Sequence, residues 1–324
     1  PDSVNGATLF YSVSGGAFTS TAMTNTSGTW SASIPGQPAG TVVQFYVRAT
    51  DGAAATADFP SAGPGSRALI QWNDGTANLA LAHNVRLILT AADRTAMFGG
   101  AELMADDRRG CTLIYDESEV FYDCGVRLKG SEHGRADAGR QSYNVSFPAE
   151  KKFRGIHDSV LLDRSGGWRF GRTMGQDEIL VKHIISHAGG TASLHDDIIR
   201  LISPQAGHTG PALLQMARFS GDYLDSMYEN GSDGKLYKLE IAYHTTATDS
   251  GLSTGNKLAQ ESSFSNLDLG DRGADLESYR WFYRQENLTA NDDASAMMAV
   301  TRAFSKSGTA FDAEIDPLID NDEW

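Results

Sequence analysis

Over the first fifty residues the apolar side chains recur at every second position and are cut short by Gly, Pro and Asn, the signature of short, half-buried β-strands. Ala7-Thr-Leu-Phe-Tyr-Ser-Val13 alternates in this way, Gly15-Gly16 supplies a turn, and Gly28-Thr-Trp-Ser-Ala-Ser-Ile34 and Thr41-Val-Val-Gln-Phe-Tyr-Val-Arg48 give two further strands. Strands at this spacing predict a small all-β sandwich. Too few are visible to complete it, so one or two more are expected before Pro1. Residues Asp51 to Gly65, rich in Ala, Gly, Pro and Ser, read as a linker, which divides the chain into a domain over 1–65 and a second over 66–324.

Beyond the linker the pattern mixes. Asn84 to Thr90 reads as a strand and Ala91 to Phe98 as a short helix, with Gly99-Gly100 as a left-handed stop. Gln176 to Ala188 is the clearest helix: Ile179, Leu180, Ile184, Ile185 and Ala188 share a face, and Asp177 and Glu178 occupy the first turn, where the helix dipole favours anions. Ile198–Ile202, Ala212–Arg218 and Lys235–Glu240 read as strands, Leu276–Asn287 and Ala294–Ser305 as helices, and Tyr243–Gly273 as a polar insertion. The fold class is therefore multidomain: an all-β sandwich, then an α+β domain with a strand-rich front and a helical rear.

A net charge of −14 repels phosphate backbones and anionic lipid, which argues against nucleic acid or membrane surfaces as main partners. No stretch approaches the roughly 20 apolar residues that span a bilayer, so no membrane insertion is expected. The chain starts at Pro1 without Met or leader, and Asp316 to Trp324 reads as an amphipathic segment without a cap. Both ends are expected to be internal to a longer protein.

Cys111 and Cys124 flank a polar turn at Glu117 and Ser118, so a hairpin sets them opposite each other, near disulfide reach. Two readings follow: a disulfide in an exported protein, or two buried free thiols in a reducing compartment.

The runs Gly125-Val-Arg-Leu-Lys-Gly-Ser131, Ser142-Tyr-Asn-Val-Ser-Phe147, Phe153-Arg-Gly-Ile-His-Asp, Gln176-Asp-Glu-Ile and Gly231-Ser-Asp-Gly-Lys-Leu-Tyr-Lys238, in this order, resemble the CotH spore-coat kinase family from about Asn84 to Trp324. The first domain similarly resembles immunoglobulin-like and fibronectin-type modules of exported bacterial proteins. The CotH resemblance implies a kinase-like small lobe passing into the start of a large lobe, with Mg-ATP as cofactor. It further implies a secreted or cell-surface location, and a protein substrate or envelope partner with which the chain assembles. It assigns Lys129, Gly130 and Ser131 to a phosphate-contacting turn, where Gly permits close backbone approach and a cation offsets phosphate charge. The family's lysine strand reads here Arg140-Gln141-Ser142-Tyr143. Arg clamps phosphate through its fork, whereas Gln141 carries no charge. Glu178 matches the carboxylate that pairs with that cation, and Lys238 a second nucleotide contact. The family's catalytic and metal-holding acids lie beyond Trp324, so this stretch is not expected to phosphorylate anything alone. The other reading of the parent is a surface structural or adhesive protein on a catalytically silent scaffold.

Other constellations carry less. His183 and His187 stand at i and i+4 but lack a third ligand by spacing, and no metal site is assigned. Asp268, Asp271 and Asp275, and Asp316, Asp320 and Asp322, lack the spacing of a helix-loop-helix calcium site and read as solvated loops. Asp163-Arg-Ser-Gly-Gly-Trp168 lacks the leading Gly of a nucleophile elbow and reads as a glycine turn, with Asp163 paired to a neighbouring Arg. Asn25, Asn144 and Asn287 match the glycosylation acceptor pattern.

Overall fold

A computed structural model describes residues 3–79, 82–99, 105–130, 135, 141–164, 176–188, 196–216, 224–225, 227–239 and 268–319. The chain forms two compact units, Pro1–Asp177 with Asp196–Met216, and Glu178–His195 with Ala217–Trp324.

The first unit opens with an antiparallel sheet. Strand β1 (Val4–Val13) lies between β2 (Thr19–Ala22) and β5 (Val42–Asp51), and β6 (Thr56–Phe59) and β7 (Leu69–Gln71) pair with β5. Leu9 sits opposite Val47 and Tyr11 opposite Phe45, which puts the alternating apolar residues of both strands on one face. Strands β3 (Thr24–Thr26) and β4 (Thr29–Ser31) form a separate hairpin. The stretch expected to be a linker instead contains β6, and β7 extends the sheet past Gly65 to Gln71. Thr56-Ala-Asp-Phe59 hid this because small and polar residues suffice on an outer strand that is largely exposed.

The next seven strands close into a barrel in the order β10-β11-β12-β14-β13-β8-β9. They are β8 (His83–Ile88), β9 (Arg109–Tyr115), β10 (Glu119–Lys129), β11 (Ser142–Ser146), β12 (Ser159–Asp163), β13 (Asp196–Ile202) and β14 (Gly210–Gln215). Six of the seven pairings are antiparallel; the parallel pair of β13 with β8, Leu201 opposite Val85, closes the ring. Every second residue joins one core: Val85 and Leu87, Val126 and Leu128, Tyr143 and Val145, Val160 and Leu162, Ile199 and Leu201. Fully burying each such side chain contributes about 1.5–3 kcal/mol. The sequence reading gave a kinase-like small lobe passing into a helical lobe. Of that layout the described residues show the mostly β character, gathered in a closed seven-stranded barrel; whether the edges of a sheet meet leaves no mark on the periodicity of its strands.

Helix α1 (Ala91–Phe98) is capped by Thr90, whose hydroxyl accepts from the Asp93 N–H at 3.1 Å. Gly99 is its C-cap at φ −68°, and Gly100, the other residue of the expected stop, lies outside the described residues.

The cysteine hairpin turns through Asp116 and Glu117, both at positive φ, with Tyr115 opposite Glu119. That register would set Cys111 against Asp123. A bulge between Phe121 and Cys124, with Asp123 at φ 53°, inserts one residue and restores Cys111 opposite Cys124. The two are buried free thiols, not the disulfide of the export reading, and Cys124 Sγ donates to the Phe121 carbonyl at 3.5 Å.

The same bulge joins the barrel to the first sheet. Asp123 accepts from Ser66 Oγ at 2.9 Å and from the Arg67 N–H, and Thr112 Oγ1 accepts from the Leu69 N–H at 2.9 Å. Phe45 meets Tyr122 edge to face at 5.6 Å.

In the second unit, β15 (Tyr237–Leu239) and β16 (Tyr283–Gln285) form a two-stranded ribbon beside α3 (Leu276–Phe282), α4 (Ser295–Phe304) and α5 (Thr309–Ile315). Tyr279, Tyr283 and Ala294 form its core. The helix expected over 276–287 stops at Phe282, because Tyr283 to Gln285 pair with β15 instead. Helix α2 (Gln176–His187) forms where the periodicity placed it, but its expected apolar face is only partly covered: Ile179 and Ile185 are half-buried, while Leu180 and Ile184 are each more than half exposed.

Candidate functional site

Lys129 ends β10 and Ser142 begins β11, and the two are direct cross-strand partners. Asp163 ends β12, one position beyond the Tyr143–Leu162 pair. Because Leu128, Tyr143 and Leu162 belong to the core, the alternation turns Lys129, after Leu128, Ser142, before Tyr143, and Asp163, after Leu162, to the other side, and three polar side chains meet on three adjacent strands. Lys129 Nζ forms an ion pair with Asp163 Oδ2, Ser142 Oγ donates to Asp163 Oδ1 at 3.2 Å, and the Arg164 N–H donates to Ser142 Oγ at 2.9 Å. Asp163 and Ser142 are each 5% exposed, while the Lys129 side chain keeps 30% of its surface open. The carboxylate is thus fixed, and the lysine side chain is the member of the cluster with surface left open.

Gly130 leaves this cluster at φ 107°, a conformation a side chain strongly disfavours. Its carbonyl is not idle. Arg135 Nε donates to Gly130 O at 2.8 Å, Arg135 Nη1 to Ala105 O at 2.9 Å, and Arg135 Nη2 to Asp106 Oδ1 at 2.9 Å. In turn Gln141 Nε2 donates to the Arg135 carbonyl at 2.5 Å. Both ends of the stretch between β10 and β11 are therefore tied to one buried arginine. Asp106 also takes Arg127 at 3.2 Å.

Of the residues assigned from the sequence, the structure places Lys129 and Gly130 at this end of the barrel; Ser131 and Arg140 lie outside the described residues. Glu178 pairs with Lys182 at 2.6 Å, one turn along its own helix. Lys238 stands on exposed β15 directly across from Arg284. Asp163, read as an arginine partner in a glycine turn, is the last residue of a strand and pairs with Lys129, and the rest of that turn lies outside the described residues. Ser142 and Arg135 were missed as contributors. The sole signal for Ser142 was its place beside Tyr143 in an alternating strand; nothing marked Arg135.

No family model matches this chain, and no curated protein matches it.

Elsewhere the polar groups singled out from sequence are engaged locally. His183 and His187 lie with ring centroids 4.1 Å apart, tilted by 40°, on exposed helix surface, with His187 Nδ1 against the His183 carbonyl. Asp268 holds Arg272 and the Gly270 N–H, Asp271 takes the Gly273 N–H, and Asp275 caps α3. Asn144 is 6% exposed and receives Arg108 Nη2 at 2.9 Å, so a glycan has no access to it in the folded chain.

Proposed function

We propose that the end of the barrel at Lys129, Ser142 and Asp163 is a phosphate-handling site, and that the chain belongs to an exported, CotH-like protein whose parent binds Mg-ATP and modifies envelope proteins on Ser or Thr. The observation that carries this reading is the Lys129–Asp163 pair beside the positive-φ Gly130: a partly exposed lysine side chain on a buried carboxylate, next to a backbone that tolerates close approach. In this reading Lys129 exchanges the carboxylate for a phosphate oxygen, and Asp163 becomes available to a divalent ion. Magnesium supplies neutralisation of phosphate charge. The donor set suits it, since Asp163 offers hard oxygen and Ser142 a neutral hydroxyl.

A second reading, a silent scaffold serving surface contact, is favoured by a different observation. Asp163 already neutralises Lys129, and the first sheet is hydrogen-bonded to the barrel through Asp123 and Thr112.

Calorimetric titration of the whole chain with Mg·ATP separates the two. The phosphate reading expects saturable heat that is lost in Lys129→Gln combined with Asp163→Asn, a pair that keeps a neutral hydrogen bond and hence the fold. Absence of binding by the wild type, or unchanged binding by the double variant, removes it and leaves the scaffold.

A further inference from the structure

The first sheet has two outer strands, and they are built differently. On one side β6 carries Asp58, which pairs across the ladder with Arg48 at 2.7 Å, and Pro60 follows the strand at once. A charge and a proline guard an open strand edge, because an added strand must bury the one and finds no N–H on the other. On the opposite side β2 has neither. Thr19-Ser-Thr-Ala22 is uncharged and every residue in it is exposed, and β3, which follows as Thr24-Asn-Thr26, is the same.

The register fixes which backbone groups this edge presents. Thr19 lies opposite Tyr11 and Thr21 opposite Leu9, and the Met23 N–H donates to the Ala7 carbonyl at 2.9 Å. Bonded and non-bonded pairs alternate along an antiparallel ladder, so Thr19, Thr21 and Met23 spend their backbone groups on β1, and those of Ser20 and Ala22 turn outward. Because β2 ends the sheet, these outward groups meet no strand among the described residues.

Charge decides what approaches them. Between Asp2 and Arg48 the chain has no Asp, Glu, Lys, Arg or His, so nearly all of a net charge of −14 sits in the rest of the molecule. Two copies repel each other through that remainder. At the β2 edge they meet without bringing carboxylates together. The strand also complements itself: about a twofold axis at Thr21, Ser20 lies opposite Ala22 on both sides, so the outward N–H and C=O groups of the two strands satisfy one another. Thr21 then faces Thr21 in the closer, non-bonded position, where a threonine pair is favourable.

We propose that β2 is a self-association edge, along which a second copy of this chain adds its own β2 in antiparallel and joins the two first sheets into one. The strand is short, so the association is weak. Each copy uses its single β2, so assembly stops at two. The proposal uses no residue of the barrel-end cluster and stands or falls apart from the phosphate reading.

The test is analytical ultracentrifugation of the whole chain from about 1 µM to 1 mM, the span of weak dissociation constants. The mass is expected to rise with concentration to that of a dimer and no further, and added salt is expected to strengthen the association by screening the net charge. Thr21→Lys sets like charges opposite each other across the twofold axis, and Ser20→Pro removes an outward N–H that the sheet itself does not use. Each is expected to raise the dissociation constant at least tenfold while the melting temperature stays near that of the wild type, and either one suffices should the other disturb folding. A wild type that stays monomeric throughout would overturn the proposal and leave the edge to a strand from another source. So would association that is unchanged in both variants, that dissolves in salt, or that grows past two copies.

Discussion

The carboxylate of Asp123 accepts the hydroxyl of Ser66 at 2.9 Å across 57 residues of sequence, and Ser66 is completely buried. The bond exists because the bulge that realigns the two cysteines also turns Asp123 towards the first sheet.

Asp123→Ala therefore removes the acceptor from Ser66 Oγ and from the Arg67 N–H. Leaving buried donors unmet costs about 1–3 kcal/mol. Equilibrium denaturation is expected to show that loss. Asp123→Asn, which keeps an acceptor, is expected to recover a good part of it, and equal losses from both variants would show that the joint does not depend on this side chain.

Acid sensitivity is expected from the outer face of β8. Arg86, 7% exposed in its side chain, holds Asp74 at 2.7 Å and Glu117 at 3.0 Å. Burial alone pulls the Asp74 carboxyl upward, but hydrogen bonds from Arg86 and Thr76 and the Arg86 charge outweigh it, and its pKa falls to about 2 from 3.8. A carboxyl depressed by folding adds stability that is fully present above pH 3.8 and is lost as pH falls towards 2. The contribution is about 2 kcal/mol. Stability measured from pH 5 downward should fall more shallowly for Asp74→Asn than for wild type.

The cysteines should be chemically quiet. Burial pushes Cys124 up to about 12, and burial together with the neighbouring Cys124 raises Cys111 well above its usual value. A thiol reagent acts on the thiolate, so native protein kept under reductant should resist an aromatic disulfide reagent, and both thiols should appear in denaturant. Finding no thiols in denatured, unreduced protein would favour the exported, oxidised form instead.

At the barrel end, Lys129→Ala removes the ammonium from the buried Asp163 carboxylate, to which Ser142 still donates. Since the Lys129 side chain keeps 30% of its surface open, the loss is expected to be about 1–3 kcal/mol rather than that of a fully buried pair. The Lys129→Gln, Asp163→Asn double variant should be closer to wild type than the single change, in thermal or chemical denaturation.

The aromatic end of the barrel core gives a larger effect. Phe153, 1% exposed, meets Tyr115, Phe147 and Phe121 at 5.5, 5.6 and 5.7 Å. Phe153→Ala is expected to cost about 3–5 kcal/mol in equilibrium unfolding, the usual loss for a buried Phe with a cavity left behind.

Local pattern was sufficient for β1, β5, β8, α1 and the two strands of the cysteine hairpin, because strand alternation and a Thr N-cap act over a few neighbouring residues. It was sufficient also for Lys129-Gly130 as a strand end. It was not sufficient for β6 and β7, whose exposed or very short stretches carry little alternation, nor for β16, where pairing with β15 overrides a helical spacing.

What the amino-acid order alone determined was where strands and helices begin and which of their residues turn inward. What only tertiary structure decided was closure: the parallel meeting of β13 with β8, the bulge that sets Cys124 against Cys111, and the choice of Asp163 as the partner of Lys129. Each joins residues 13 to more than 100 positions apart, and a side chain's outward direction says nothing of which distant group it will meet. The charged cluster at the barrel end therefore became visible only once β10, β11 and β12 lay side by side.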